Sequence, residues 1–334
     1  MPRDSVRRRR TRSLNRPLDL LDRLLPRLRA LHPQDKLRVC CFMSEQVNGE
    51  QTAALIEQAR RPLLACPECH GTALNRCGHA NGLQRFKCKA CGRTFNSLTG
   101  TPLARLRLKT RWLAYFDCMR DPACTVNSAA AKIGVHPSTS FRWRHRFLKW
   151  TKLDRPPRLV GIVEADETFL LESQKGARQL QRPARKRGGV ASKRGISAEL
   201  VNIVVARDRD GKTIDFLAGR GALKAAALHD YLLPKLAPDV VLVSDANAAY
   251  KKFAREARIH HQSINVSQGK RVIGPYHVQN VNAYHSRFKG WLQHFRGVAT
   301  AYLDNYLGWR WAIDLGRIDS PEQFLRAAMG IISI

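Results

Sequence analysis

Two short acidic segments carry the side chains best suited to chemistry. Glu164-Ala165-Asp166-Glu167 follows an apolar run at 159–163, and Ser244-Asp245 follows the run Val240-Val241-Leu242-Val243. Both runs read as strands, so the acids stand at strand ends. Side chains alternate along a strand, which puts Glu164 and Asp166 on one face and Glu167 on the other. Carboxylates at the tips of neighbouring strands can meet in space. Such hard oxygens suit Mg²⁺, or Mn²⁺, and two ions about 4 Å apart can activate one oxygen while stabilising a leaving one. Taken singly, the same acids also suit ordinary strand-end turns.

A second set is sulfur. Cys66-Pro67-Glu68-Cys69 and Cys88-Lys89-Ala90-Cys91 are separated by 18 residues. Two tight pairs of this spacing predict a closed tetrahedral zinc site, structural rather than catalytic because it leaves no open coordination position. Cys77, His70 and His79 lie in the spacer and could replace a ligand. The same spacing argues against disulfides among the 9 cysteines and places the chain in a reducing compartment.

The third signal is charge. With 58 Lys+Arg against 27 Asp+Glu the chain carries +31, which points to a polyanion as partner, duplex DNA first. No apolar run is long enough to cross a bilayer, and the basic start Arg7–Arg10 lacks the apolar stretch of a secretory signal. The expected location is the cytoplasm, in association with the nucleoid.

These groups need elements to hold them. Residues 1–16 read as a basic arm. Leu18, Leu21, Leu25 and Leu28 predict a short helix kinked at Pro26, and a second helix is expected over 44–60. Glycine-punctuated hairpins surround the cysteines. Residues 125–133, the turn Gly134-Val135-His136 and residues 137–148 have the layout of a helix-turn-helix, with Pro137 at the first position of the second helix. That helix would enter the major groove by Ser138, Thr139, Ser140 and Arg142. Phe141, His145 and Leu148 are expected on its core side. Beyond Pro156-Pro157 the order is strand, strand, strand, helix, strand, helix and a long late helix over 281–296, an α/β pattern. Between the first two of these strands, residues 174–195 carry eight Lys or Arg and no acid. This loop, with Arg185, Lys186 and Arg187 as its densest run, is expected to close on a DNA backbone.

Val163-Glu164-Ala165-Asp166-Glu167-Thr168-Phe169, then Val243-Ser244-Asp245-Ala246 with Tyr250, then His277-Val278-Gln279-Asn280-Val281-Asn282 with Lys289, together resemble the insertion-sequence transposases with a DDE-type catalytic core. The likeness is to the branch that begins with a zinc ribbon and a helix-turn-helix, and it covers about residues 60–315. It implies an α/β fold: an RNase H-like core, a mixed sheet flanked by helices, at 157–318. Before it would come an arm and helices at 1–60, the ribbon at 61–100 and the helix-turn-helix at 105–152, with a closing helix at 319–334. It implies Asp166 and Asp245 as metal ligands of a two-ion Mg²⁺ site. The third ligand falls on Asn282, where the family usually has Glu, and Lys289 lies seven residues on, two helical turns along the same face. An amide oxygen can ligate Mg²⁺ but carries no charge. His277 matches the pattern as a DNA-contacting or site-orienting residue. The implied reaction is hydrolysis of a phosphodiester at an element's end, then attack of the freed 3′-hydroxyl on target DNA. Recognition of terminal inverted repeats and a homo-oligomer on DNA are implied with it. A catalytically inactive DNA-binding regulator and an RNase H-like nuclease share most of these features, and a zinc-ribbon RNA-binding module shares some.

Overall fold

The computed structural model describes residues 18–331 apart from 153, 157, 187, 266–268 and 270. Arg187 and the basic arm at 1–16 therefore lie outside the described residues. Helix α1 (Leu18–Ala30) contains Pro26, and α2 (Pro33–Arg60) begins eleven residues earlier than its periodicity predicts. The reason is local: His32 caps the helix and Pro33 occupies a position where its missing N–H costs nothing.

The cysteine region is a three-stranded antiparallel sheet, β1 (Leu74–Ala80), β2 (Leu83–Cys88) and β3 (Thr94–Asn96). Its own core is small: Cys66, Cys88 and Phe95, with Leu64, Leu74 and Phe86 packed around them. Then follow α3 (Trp112–Arg120), α4 (Val126–Ile133) and α5 (Pro137–Phe147). Thr125 and Ser128 cap α4 reciprocally, and Gly134 ends it at φ 69°, a left-handed conformation that glycine adopts without strain.

The second half is built on five strands in the order β6-β5-β4-β7-β8. They are β4 (Ile162–Leu171), β5 (Leu200–Asp208), β6 (Thr213–Arg220), β7 (Val241–Asp245) and β8 (His260–Ile264). The first three pair antiparallel, while β7 joins β4, and β8 joins β7, in parallel. This is a mixed sheet flanked by helices on both faces, the α/β layout that the resemblance implies. Strand β8 (His-His-Gln-Ser-Ile) has no apolar period and is absent from the sequence expectation. The first strand also starts later than the run at 159–163, since Leu159 makes only an isolated bridge to Leu236.

Helices α6 (Ala225–Tyr231) and α7 (Ala248–Ala257) cover one face over Val163, Ala165, Val204 and Ala206. Helices α8 (Gln279–Gln293) and α9 (Leu303–Asp314) cover the other, against Val201, Ile203 and Val205. That second core continues without a break into α3 and α5 and takes in the last helix, α10 (Pro321–Ala328). Phe324 of α10 stacks on Phe116 of α3 with ring centroids 4.8 Å apart. The closing helix thus packs back on the first half of the chain. Arg144 of α5 inserts between the two halves, its guanidinium 4.9 Å from the Trp309 ring and 5.8 Å from Phe295.

Candidate functional site

Strand register brings the first acids together. β4 and β7 run parallel with Ile162 beside Val241 and Glu164 beside Val243, so two residues further on Asp166 comes beside Asp245. Glu167 leans in from the opposite face, and the oxygens of Asp166, Glu167 and Asp245 lie within 4.8 Å of one another. Each acid is held. Asp245 Oδ1 accepts from the Asn247 backbone N–H at 3.0 Å, and the Asn247 side chain donates to Glu167 Oε1 at 2.7 Å. Asn247 also caps α7, so helix and acid are fixed by one residue.

Crowding of like charge sets the electrostatics. Burial, then the charges of Glu167 and Asp245, push the Asp166 carboxyl up to about 7, against a smaller pull from the Glu167 N–H and Lys289. Burial and Asp245 also raise Glu167. Tyr250, fully buried beside them, is raised well above the ordinary phenol value by burial and by the three carboxylates. Glu167 Oε2 is buried with no hydrogen-bond partner among the described residues. A cluster of hard oxygens that raises its own protonation and leaves an acceptor unsatisfied fits a divalent cation.

Glu164 has another task. It lies on the Asp166 face, as alternation predicts, but its side chain is only 1% exposed and fully engaged. It accepts from Arg209 Nη1 at 2.6 Å, from the Asn280 N–H at 2.8 Å, from Asn280 Nδ2 at 2.7 Å and from the Val281 N–H at 3.2 Å. This carboxylate therefore satisfies orphan N–H groups in the first turn of α8, with the favourable sign for a helix N-terminus. Its role is to set where α8 starts, and Glu167 rather than Glu164 joins the acid cluster. His277 belongs to the same hub, its Nε2 2.8 Å from Arg209 Nη1 and its Nδ1 3.3 Å from Glu164. Glu164→Ala would leave Arg209, His277 and Asn280 without their acceptor. We expect a loss of about 2–3 kcal/mol, below the usual cost of breaking a buried pair because Arg209 is part-exposed. A urea midpoint equal to wild type would contradict that role.

Asn282 and Lys289 are both exposed on α8. Between them lies His285, which the sequence reading passed over. It is buried, and its Nδ1 is 3.8 Å from Asp166 Oδ2. Burial, then Lys289, lowers this imidazole to about 4. The one available sequence signal was its spacing, three residues after Asn282 on the same helix face.

The sulfur cluster forms as expected. Cys66 and Cys91 Sγ are 3.5 Å apart, as are Cys69 and Cys88, and all four lie within 4.8 Å. A tetrahedron of sulfurs about 2.3 Å from a metal has edges near 3.8 Å, so the set fits a zinc ribbon. Backbone N–H groups of Cys69 and Glu68 pull the Cys66 thiol down to about 7, while the crowded neighbouring sulfurs help push Cys91 up to about 12 against the Arg93 N–H. Cys77 and His79 sit on β1, outside the cluster.

Of the proposed groove contacts, Ser138 and Arg142 are exposed on α5 and Thr139 is half-buried. Ser140 is fully buried, donating to the Val126 carbonyl at 2.8 Å and lying 2.9 Å from the Tyr115 hydroxyl. It locks the two helices together and cannot reach DNA from that position, because the helix turns its fourth residue inward. In the basic loop, Lys186 is exposed, but Arg185 is committed to the Glu172 carbonyl at 2.7 Å and Glu199 at 2.9 Å. Arg182 likewise binds Glu172 at 2.9 Å. These arginines fold the loop onto acids that flank it rather than leaving them free for phosphate. A cleft of about 920 Å³ opens between this loop, α4–α5 and the 295–306 segment, and is not lined by Asp166, Glu167 or Asp245.

Comparison with known proteins agrees with the sequence resemblance. Residues 158–311 match the family described as ISXO2-like transposase domain. A protein of Halobacterium salinarum described as an uncharacterized protein in transposable element ISH50 is 29% identical over 266 residues, covering 78% of this chain and 89% of its own length. Among solved structures, the pre-cleavage Mos1 transpososome aligns over 67% of this chain and 78% of its own at 15% identity and a TM-score of 0.23. No helix among the described residues is long and apolar enough to cross a membrane.

Proposed function

We propose that this chain, whose residues 158–311 carry an ISXO2-like transposase domain, cuts and joins DNA at the ends of an insertion sequence. The observation that carries the reading is the meeting of Asp166 and Glu167, midway along β4, with Asp245 at the end of β7, beside α8. Two divalent cations, Mg²⁺ or Mn²⁺, would supply Lewis-acid polarisation of the phosphodiester and neutralise charge on the leaving oxygen. Asp166, between the strand-end acids and α8, would serve both ions. Asp245 and Glu167 would hold one side, and the Asn282 amide oxygen the other. Lys289 would contact a phosphate of the reacting strand. Glu164, through Arg209, His277 and Asn280, positions α8 so that these groups face the strand ends.

In this reading the ribbon at 61–100 and the helices at 105–152 recognise terminal inverted repeats, the ribbon holds Zn²⁺, and Ser138, Thr139, Arg142 and Lys186 contact DNA. Arg187 and the basic arm belong to the same proposal from sequence alone. Two ends must be brought together, so the active form is a homo-oligomer on DNA, and a cytoplasmic, nucleoid-associated location follows from that partner. Duplex affinity is expected to fall steeply with salt: about six phosphate contacts would lose roughly a thousandfold between 50 and 200 mM. A flat salt response would contradict backbone-dominated binding.

The direct test supplies the purified chain with duplexes of the element's ends, target DNA and Mg²⁺ or Mn²⁺. Cleaved and joined products are expected. Cleavage without joining in the presence of target would favour a nuclease, and tight end binding without any product would favour an inactive regulator. Competition by RNA as strong as by duplex DNA would favour the RNA-binding alternative.

A further inference from the structure

We infer that His285 is a metal ligand of the α8-side position, in the place where an uncharged Asn282 leaves the site short of donors. The inference deepens the two-ion reading above and rests on it. The acids of β4 and β7 form one compact set of Asp166, Glu167 and Asp245. His285 is not in that set. It approaches Asp166 from α8.

Its geometry is hard to explain by packing alone. The side chain is 8% exposed, and Nε2 is buried with no hydrogen-bond partner among the described residues. Nδ1 opens toward Asp166 Oδ2 at 3.8 Å, too far for a hydrogen bond. A buried imidazole with neither nitrogen well paired is costly in an otherwise satisfied core. The separation suits two donors to one ion: ligands at about 2.1 Å lie about 3.0 Å apart when adjacent and about 4.2 Å apart when opposite. A small adjustment of either side chain reaches the first arrangement.

The contrast with Asn282 sharpens the assignment. Asn282 is exposed one turn earlier on α8, whereas His285 is enclosed at the carboxylate. Both can face the same ion from one helix stripe, the amide as a weak oxygen donor and the imidazole as the stronger one. Nitrogen ligation also changes metal preference. It favours Mn²⁺ and later divalent metals over Mg²⁺, which prefers oxygen throughout.

The test uses the full chain with its cysteine site saturated with zinc, titrated with Mn²⁺ and followed by electron paramagnetic resonance. Wild type is expected to show nitrogen modulation in pulsed spectra of the bound Mn²⁺, altered when histidine is labelled with ¹⁵N. His285→Ala should remove that modulation and weaken one Mn²⁺ at least about tenfold, while the other ion stays bound. Asn282→Ala should keep the modulation. Mn²⁺ bound in an Asp166-dependent way without nitrogen modulation in wild type would overturn the assignment and leave the two-ion reading standing. So would modulation that survives in His285→Ala. Mn²⁺ binding that Asp166→Ala leaves unchanged would overturn the two-ion reading and this inference with it. The wild-type spectrum decides the point even where His285→Ala fails to fold.

Discussion

Asp166→Ala and Asp245→Ala are each expected to lower DNA cleavage at least about a thousandfold, a loss of about 4 kcal/mol of transition-state stabilisation. The two side chains lie side by side, Asp166 midway along β4 and Asp245 at the end of β7, and each removal deletes a charged donor from the set. Duplex affinity should change by less than about twofold, because binding is carried by phosphate contacts elsewhere. Gel analysis of products beside fluorescence anisotropy on the same preparations separates the two effects. A loss of affinity as large as the loss of cleavage would make these acids structural. Stability gives a further control. Burial and the neighbouring carboxylates hold Asp166 up to about 7, against an ordinary value of 3.8. A raised carboxylate contributes stability that is fully present below pH 3.8 and lost as pH rises through about 7. At pH 8 without metal, Asp166→Asn should therefore melt no lower than wild type, and the difference should shrink or reverse toward pH 5.

Stripping the cysteine site has the next largest effect. The ribbon's own core is Cys66, Cys88 and Phe95 with a few partly buried neighbours, too little apolar surface to offset the ordering of three strands. Metal binding at a structural four-ligand site is worth about 10–16 kcal/mol and is folding free energy. A strong chelator is expected to release one Zn²⁺ per chain and to abolish amide protection over 74–96, while the β4–β8 sheet keeps its protection. Cys66→Ser and Cys88→Ser should reproduce this without chelator, as those two sulfurs are also the buried ones. Persistent protection of the hairpins after metal loss would show that contacts such as Glu57 with the Gln84 N–H suffice to hold them.

Chain chemistry by itself determined a good deal about this protein. Paired Cys-x-x-Cys spacing, Thr125 and Gly134 around a short helix, and acids after apolar runs are local patterns; the first two survive folding unchanged, whereas β4 runs on through its acids to Leu171. They were enough to place the ribbon, the two helices, and Asp166 beside Asp245. The limits were equally physical. Strand β8 escaped because an edge position tolerates His, His, Gln and Ser, leaving no apolar period to detect. Helix α2 ran further than predicted because a His32 cap and a proline start extend it over residues whose exposed side chains carry no periodicity.

Tertiary structure decided which acids work and which hold. Alternation along the strand favours Glu164 over Glu167, since it puts Glu164 on the Asp166 face. Only the arrival of the α8 N-terminus over Glu164, and of Asn247 against Glu167, turns Glu164 into an anchor and Glu167 into a member of the site. The same holds for Ser140 and Arg185, whose types suit DNA but whose hydrogen bonds are spent inside the protein. His285 carried no signal beyond a helical spacing, since its nearness to Asp166 depends on α8 crossing β4. Sequence fixes the type and order of donors along the chain. Their roles follow from which other groups compete for the same lone pairs and protons, and that competition exists only once distant segments pack.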